Sequence, residues 1–261
     1  MKNVLLSLAF ILGFSIATPA QTFRDKLNDF LSKPNVGGIT PQQLSPIFES
    51  IKAGETENRE LLELLDRYAE EQLLNDMTDV LAPYYENNMT TADLDKLTEM
   101  YSRTDVQQAI KHITTLSGSD FRAGMISDLQ KPLLSVISGK NVENIPLKKS
   151  IDKKYAKLCK KYIDASGIED ILGSSKGLLS SVPALGNSGN LIDYLDDNMT
   201  TIITNHFYGR VSKDDLKVMT KVCKTKAYKH FNKGTEALMQ DLMPVAMKMQ
   251  SKVSDWVKKN K

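Results

Sequence analysis

Apolar residues recur at three- and four-residue spacing along almost the whole chain, the period of a helix that buries one face. Phe23, Leu27, Phe30 and Leu31 open the pattern, and Pro34 with Gly37-Gly38 stops it. Thr40-Pro41-Gln42-Gln43 then supplies an N-cap, a proline in the first turn and a glutamine three residues after the cap, ahead of Leu44, Ile47, Phe48 and Ile51. A longer helix is predicted from about Asn58 to Asn87, with Leu61, Leu65, Tyr68, Leu73, Met77, Val80, Leu81 and Tyr84 inward. Thr90 and Asp93 open the next one: the hydroxyl can accept from a first-turn amide, and the carboxylate sits against the positive end of the helix dipole. Leu94, Leu97 and Tyr101 follow, then Val106, Ile110, Ile113 and Leu116, then Phe121, Met125, Leu129 and Val136, with Pro132 as a kink.

Between Ser138 and Lys149 the chain turns to Gly, Lys, Asn and Pro. This divides it into a first helical unit at 21–139, a linker at 140–150 and a second unit at 151–261. The second unit starts with a helix carrying Tyr155, Cys159, Tyr162 and Ile163, and the Gly- and Ser-rich stretch from Gly173 to Asn190 reads as a mobile loop. From Leu191 to Tyr208 the β-branched run Thr200-Thr201-Ile202-Ile203-Thr204 would suit a strand. An internal repeat argues for a helix instead. A last helix is predicted over about Thr225 to Lys259, bent by Pro244.

The repeat aligns the two units without gaps at an offset of 122 residues. Thr90 meets Ser212, Asp93-Leu94 meets Asp215-Leu216, Leu97 meets Met219, Tyr101 meets Cys223, and upstream Leu81 and Tyr85 meet Ile203 and Phe207. An apolar helix, a polar break, a Thr or Ser cap with Asp three later, and a second amphipathic helix are common to both. The expected fold is all-α: two tandem helical-bundle units related by that repeat.

The segment from Asn88 to Ile110, and its counterpart from Arg210 to Phe231, resembles the bacterial exported domain-of-unknown-function family 2059. Thr90, Asp93, Leu94, Leu97 and Tyr101 match its pattern in the first copy, and Ser212, Asp215, Leu216 and Thr225 in the second. Val106 and Tyr228 stand where that pattern has glycine, and neither copy has its proline. The resemblance implies a helical exported bacterial protein and implies no activity.

The first twenty residues agree with export. Lys2 precedes an apolar stretch from Val4 to Ile16 and then Ala17-Thr18-Pro19-Ala20, the order of a secretory signal peptide, with cleavage expected after Ala20. No other stretch approaches the ~18 apolar residues of a membrane span, so a periplasmic or secreted mature chain without a transmembrane segment is expected. The remaining 241 residues are enough for real cores, and 41% hydrophobic with 25% charged residues is an ordinary globular composition. A formal net charge of +2 over the chain names no partner.

Candidate chemistry is sparse. Gly173-Ser174-Ser175-Lys176-Gly177 fits G-x-S-x-G, but a helix end precedes it where a nucleophile elbow needs a strand. Ser150-Ile151-Asp152-Lys153 fits S-x-x-K without the companion motifs and reads as a helix start. His112, His206 and His230 have no metal-ligand spacing, and no phosphate-binding glycine loop is present. No catalytic residue, metal site or cofactor is assigned, and no nucleic-acid partner. The sequons at Asn88 and Asn198 have no role in a bacterial envelope. Cys159 and Cys223 are either a disulfide, which an oxidising compartment permits, or two small core residues on apolar helix faces.

Two features bear on function. Glu55 to Glu99 holds thirteen acidic against three basic residues, and Arg210 to Lys233 holds eight basic against two acidic. These are solvated faces or the complementary surfaces of a docking event, within one chain or between chains. On the last helix Leu238, Leu242, Val245, Met249 and Trp256 form one stripe, and Met239, Met243 and Met247 a second. That second stripe is expected to pack in the core; its alternative is an adaptable apolar binding surface. The leading functional reading is a non-enzymatic envelope module that binds a protein partner or itself. An alternative is a carrier of an apolar small molecule or lipid between helices, and an enzyme comes third.

Overall fold

The structure, a computed structural model, describes residues 21–33, 59–115, 143–168 and 188–261, with positions 134, 135, 138, 140 and 170. The expected signal peptide, the helix expected after Thr40, the expected kink at Pro132 and most of the loop expected at 173–190 lie outside them. Ten helices make up the described fold, and no strand occurs among the described residues. They are α1 (Phe23–Ser32), α2 (Arg59–Glu71), α3 (Leu73–Glu86), α4 (Thr91–Tyr101), α5 (Thr104–Thr115), α6 (Lys153–Ser166), α7 (Ser188–Phe207), α8 (Lys213–Cys223), α9 (Lys226–Gln240) and α10 (Leu242–Asn260).

The caps explain where these helices begin. Thr22 with Asp25, Thr90 with Asp93 and Ser212 with Asp215 form capping boxes at α1, α4 and α8, in which hydroxyl and carboxylate satisfy two orphan amides reciprocally. Asp152 and Thr225 cap α6 and α9 by accepting from Tyr155 N and Tyr228 N. Gly167 ends α6 at φ 68°, a left-handed conformation open to glycine, and a Cβ there would overlap the Asn232 side chain.

Residues 188–207 are helical, so the β-branched run does not form a strand. Ile202 and Ile203 are buried, and Thr204 donates its hydroxyl to Thr200 O at 2.6 Å, which satisfies a polar group that would otherwise resist burial in a helix.

Two predicted helices are each broken in two. The segment expected to run from 58 to 87 is interrupted at Gln72, whose φ is −126°, although no glycine or proline stands there. A tertiary knot occupies that place: buried Asp76 accepts from Tyr68 Oη, Gln72 Nε2 and Lys252 Nζ at 3.0, 3.1 and 2.8 Å. The C-terminal helix breaks at Asp241, not as a bend at Pro244. Pro244 falls in the first turn of α10, where its missing N–H removes no intrahelical bond.

One continuous apolar core runs through both predicted units. α4 packs on α1 and on α9; α8 packs on α6 and on α5. A helix from each half therefore lies against the cap-bearing helix of the other. Phe231 of α9 stacks on Tyr85 at 4.9 Å and meets Phe30 edge-on at 5.7 Å, which anchors α9 among α1, α3 and α4. Gly234 allows this approach, since a Cβ there would overlap the Tyr85 ring. The linker runs extended over α7: Asn205 accepts from Lys148 N at 2.9 Å and donates to Pro146 O at 3.0 Å, and Asn198 accepts from Ile145 N at 2.6 Å.

Candidate functional site

The exchange of helices sets up two matching polar bridges. His230 of α9 donates from Nδ1 to the Asp93 carboxylate at 3.0 Å, and His112 of α5 donates from Nδ1 to the Asp215 carboxylate at 2.9 Å. Each carboxylate is already the third residue of a capping box, so one group serves its own helix start and the other half of the chain. Burial pushes both carboxyls up. At Asp93 the bonds from His230 and Thr90 outweigh it, and at Asp215 those from Ser212 and His112 do, so both lie below the ordinary value. A carboxylate on Nδ1 is also the pairing that orients a histidine in acid–base catalysis. Among the described residues no three His, Cys, Asp or Glu side chains converge to hold a metal ion.

A third ionic tie fixes α10. Lys252 bridges Asp76 at 2.8 Å and Asp79 at 3.3 Å, and its ammonium is held above the ordinary value, chiefly by the bond to Asp76. Trp256 packs edge-on against Tyr68 at 5.5 Å and carries the Arg67 guanidinium over its ring at 5.3 Å.

Cys159 and Cys223 are free thiols, both buried. Burial pushes Cys159 up to about 11 and Cys223 up to about 12, far from the range of a reactive thiolate. Tyr101, Tyr155, Tyr162 and Tyr228 surround them, and burial raises all four phenols. This cluster is core. Tyr155 Oη donates to Val211 O at 3.0 Å and Tyr228 Oη to Ser166 O at 3.2 Å.

The methionine stripe is divided by the break at Asp241. Met239 on α9 is half-buried, whereas Met243 and Met247 on α10 are 58% and 67% exposed. The expectation that all three pack in the core is corrected for these two: breaking the helix turns them to solvent beside exposed Pro244 and Ala246. The other stripe keeps its inward role, with Leu238 and Val245 buried and Met249 and Trp256 packed against the core.

Charge is unevenly divided among the helices. α2, α3 and α4 carry eleven acidic and three basic side chains, and α6 with α8 carries eight lysines and three acidic groups. The bridges between the halves run through His230, His112 and Lys252. Among the described residues, Lys221, Lys224, Lys226, Lys229 and Lys233 make no ion pair with the acidic helices, so the basic run is not spent on in-chain neutralisation. A polar depression of about 570 Å³ between α1 and α3, lined by Arg24, Asp25, Asn28, Asp29, Asn75 and Asp79, belongs to the acidic side. Arg24 is tied there to Asp79 at 3.1 Å.

The His–Asp bridges and the Lys252 knot were not foreseen. Each joins residues more than a hundred positions apart, and the only trace in the sequence is that both capping-box aspartates occupy matching places at the 122-residue offset. No helix among the described residues is long and apolar enough to cross a membrane. No family model matches the chain, nor does any curated protein or solved structure.

Proposed function

We propose that this protein is an exported, non-enzymatic interaction module of the bacterial envelope, freed of residues 1–20 and acting through its charged surfaces. The observation that carries the reading is the charge polarity of the fold. Its acidic helices and its lysine-rich helices keep their charge at the surface, while the groups with catalytic potential are engaged in holding the scaffold together. Histidines tie the halves, thiols sit in the core, and tyrosine hydroxyls serve backbone carbonyls. Complementary potentials steer encounters and select partners more than they add raw affinity, which suits a reversible envelope module. The outward turn of Met243 and Met247 supports a surface role over a methionine-lined interior for an apolar ligand.

Native mass spectrometry of the protein recovered from its own host, at low and moderate salt, tests this. The expected result is an N-terminus at Gln21, no bound mass of a few hundred daltons, and protein complexes that dissociate at moderate salt. A stoichiometric bound small molecule would overturn it in favour of the carrier.

A further inference from the structure

We propose that the lysine face of α6 and α8 docks on the acidic face of α2 to α4 of a second copy of this chain, head to tail. The inference rests on the interaction-module reading and names its partner.

The lysine face is built by two parallel neighbouring helices. Lys213 at the start of α8 pairs with Asp152, the cap of α6, at 2.9 Å, and Tyr155 Oη reaches Val211 O just before α8. The two helices thus start side by side. Lys153, Lys157, Lys160 and Lys161 follow one another along the outer side of α6, opposite buried Tyr155, Cys159, Tyr162 and Ile163. Lys213, Lys217 and Lys221 recur every fourth residue along α8. Among the described residues, the ion pairs made here are local ones, to Asp152, Asp164 and Asp214. Among the described residues, Lys154, Lys157, Lys161 and Lys221 have no ion-pair partner.

Among the described residues, the lysines of α6 and α8 make no ion pair with a carboxylate of α2 to α4 of the same molecule. α2 packs on α3 and α10, whereas α6 and α8 pack on each other and on α7 and α5. Exposed Glu60, Glu70, Glu71 and Glu99 mark the acidic side. A net charge of +2 over the whole chain sets little repulsion against a second copy. The face offers no aromatic ring on which a base could stack, because Tyr155 and Tyr162 of α6 are buried and α8 carries no aromatic residue. Joining unlike faces leaves one of each open, so assembly continues into a ring or an open chain.

Sedimentation velocity of the purified protein at about 20 mM and about 300 mM salt, bracketing the range where screening becomes strong, is the test. Two neutralised variants accompany it: K154Q/K157Q/K161Q/K221Q and E60Q/E70Q/E71Q/E99Q, each checked for wild-type circular dichroism and melting. We expect wild-type oligomers at low salt and monomers at high salt, each variant monomeric alone, and a mixture of the two that stops at a heterodimer. Low-salt oligomers that survive in the lysine variant would overturn the proposal. So would a bare wild-type monomer at low salt, which leaves the interaction-module reading to its own test. A wild-type monomer that sediments with phosphatidylglycerol vesicles through these lysines assigns the face to a membrane instead. A monomer carrying a small apolar molecule defeats both readings.

Discussion

His230 and Asp93, 137 residues apart in sequence, are hydrogen-bonded at 3.0 Å, and the same Asp93 oxygen accepts from the backbone N–H and hydroxyl of Thr90. One carboxylate thereby fixes the start of α4 and holds α9 from the other half against it. His112 and Asp215 repeat the relationship in the opposite sense.

Asp93→Ala removes the carboxylate half of the capping box and the tertiary bond together, leaving only the bond from its backbone N–H to the Thr90 hydroxyl, and a loss of about 1 kcal/mol or more is expected. His230→Ala leaves the Thr90 bonds in place and costs less. A double-mutant cycle by urea unfolding should show coupling of about 0.5 kcal/mol or more for Asp93 with His230, and almost none for Asp93 with His112. Strict additivity in the first pair would remove the bridge from any account of stability.

Acid should loosen the same ties. Asp76, Asp93 and Asp215 have folded values below the unfolded value of about 3.9, so below about pH 5 the folded state holds fewer protons than the unfolded one. Their contribution is complete above about pH 5 and disappears as pH falls through the lowered folded values. Lys252 has the opposite sign: its contribution is complete below its unfolded value of about 10.4 and disappears as pH rises through the raised folded one. The stability gap between wild type and Asp215→Asn should therefore close on acidification. The gap to Lys252→Gln should close at both extremes, first by protonation of Asp76 and then by loss of the ammonium proton. Urea midpoints across pH check both; a gap to Asp215→Asn that is unchanged at pH 2 contradicts the first.

The two thiols should be silent in the native state. With Cys159 pushed up to about 11 and Cys223 up to about 12 by burial, neither should react with an aromatic disulfide reagent at pH 8 until urea is added, after which both should react. An intact mass two hydrogens below that of the reduced chain would show a bridge in place of these free thiols.

Gly234→Ala should destabilise the protein despite alanine's advantage of about 1 kcal/mol in a helix. The new Cβ overlaps the Tyr85 ring, approaches its Cε1 to 2.9 Å and lies 3.2 Å from Tyr84 O, so α3 and α9 must separate or the Tyr85–Phe231 stack must shift. Overpacking of this kind costs about 1 to 3 kcal/mol. Thermal unfolding beside the exposed control Lys233→Ala measures it, and a raised melting temperature for Gly234→Ala would show that the interface yields freely.

Local physics made much of the fold readable in advance. Capping boxes at Thr90–Asp93 and Ser212–Asp215 and the buried faces of α1, α4, α6 and α8 follow from side-chain period and from hydrogen bonds spanning three residues. The breaks at Gln72 and Asp241 were harder. At Gln72 one of the groups that meet on Asp76, Lys252, lies 180 positions downstream, and at Asp241 the methionine pattern continued through a place where the chain turns.

By itself, then, the sequence determined the all-helical class, most helix starts, the inward residues and the unequal charge of the halves, because each depends on neighbours within a turn or two. Only the tertiary structure decided that α5 and α9 cross to the opposite half, that His112 and His230 meet Asp215 and Asp93, and that Met243 and Met247 face outward. Those outcomes depend on which apolar faces bury one another, and a helical stripe says that a face will be covered without saying by what.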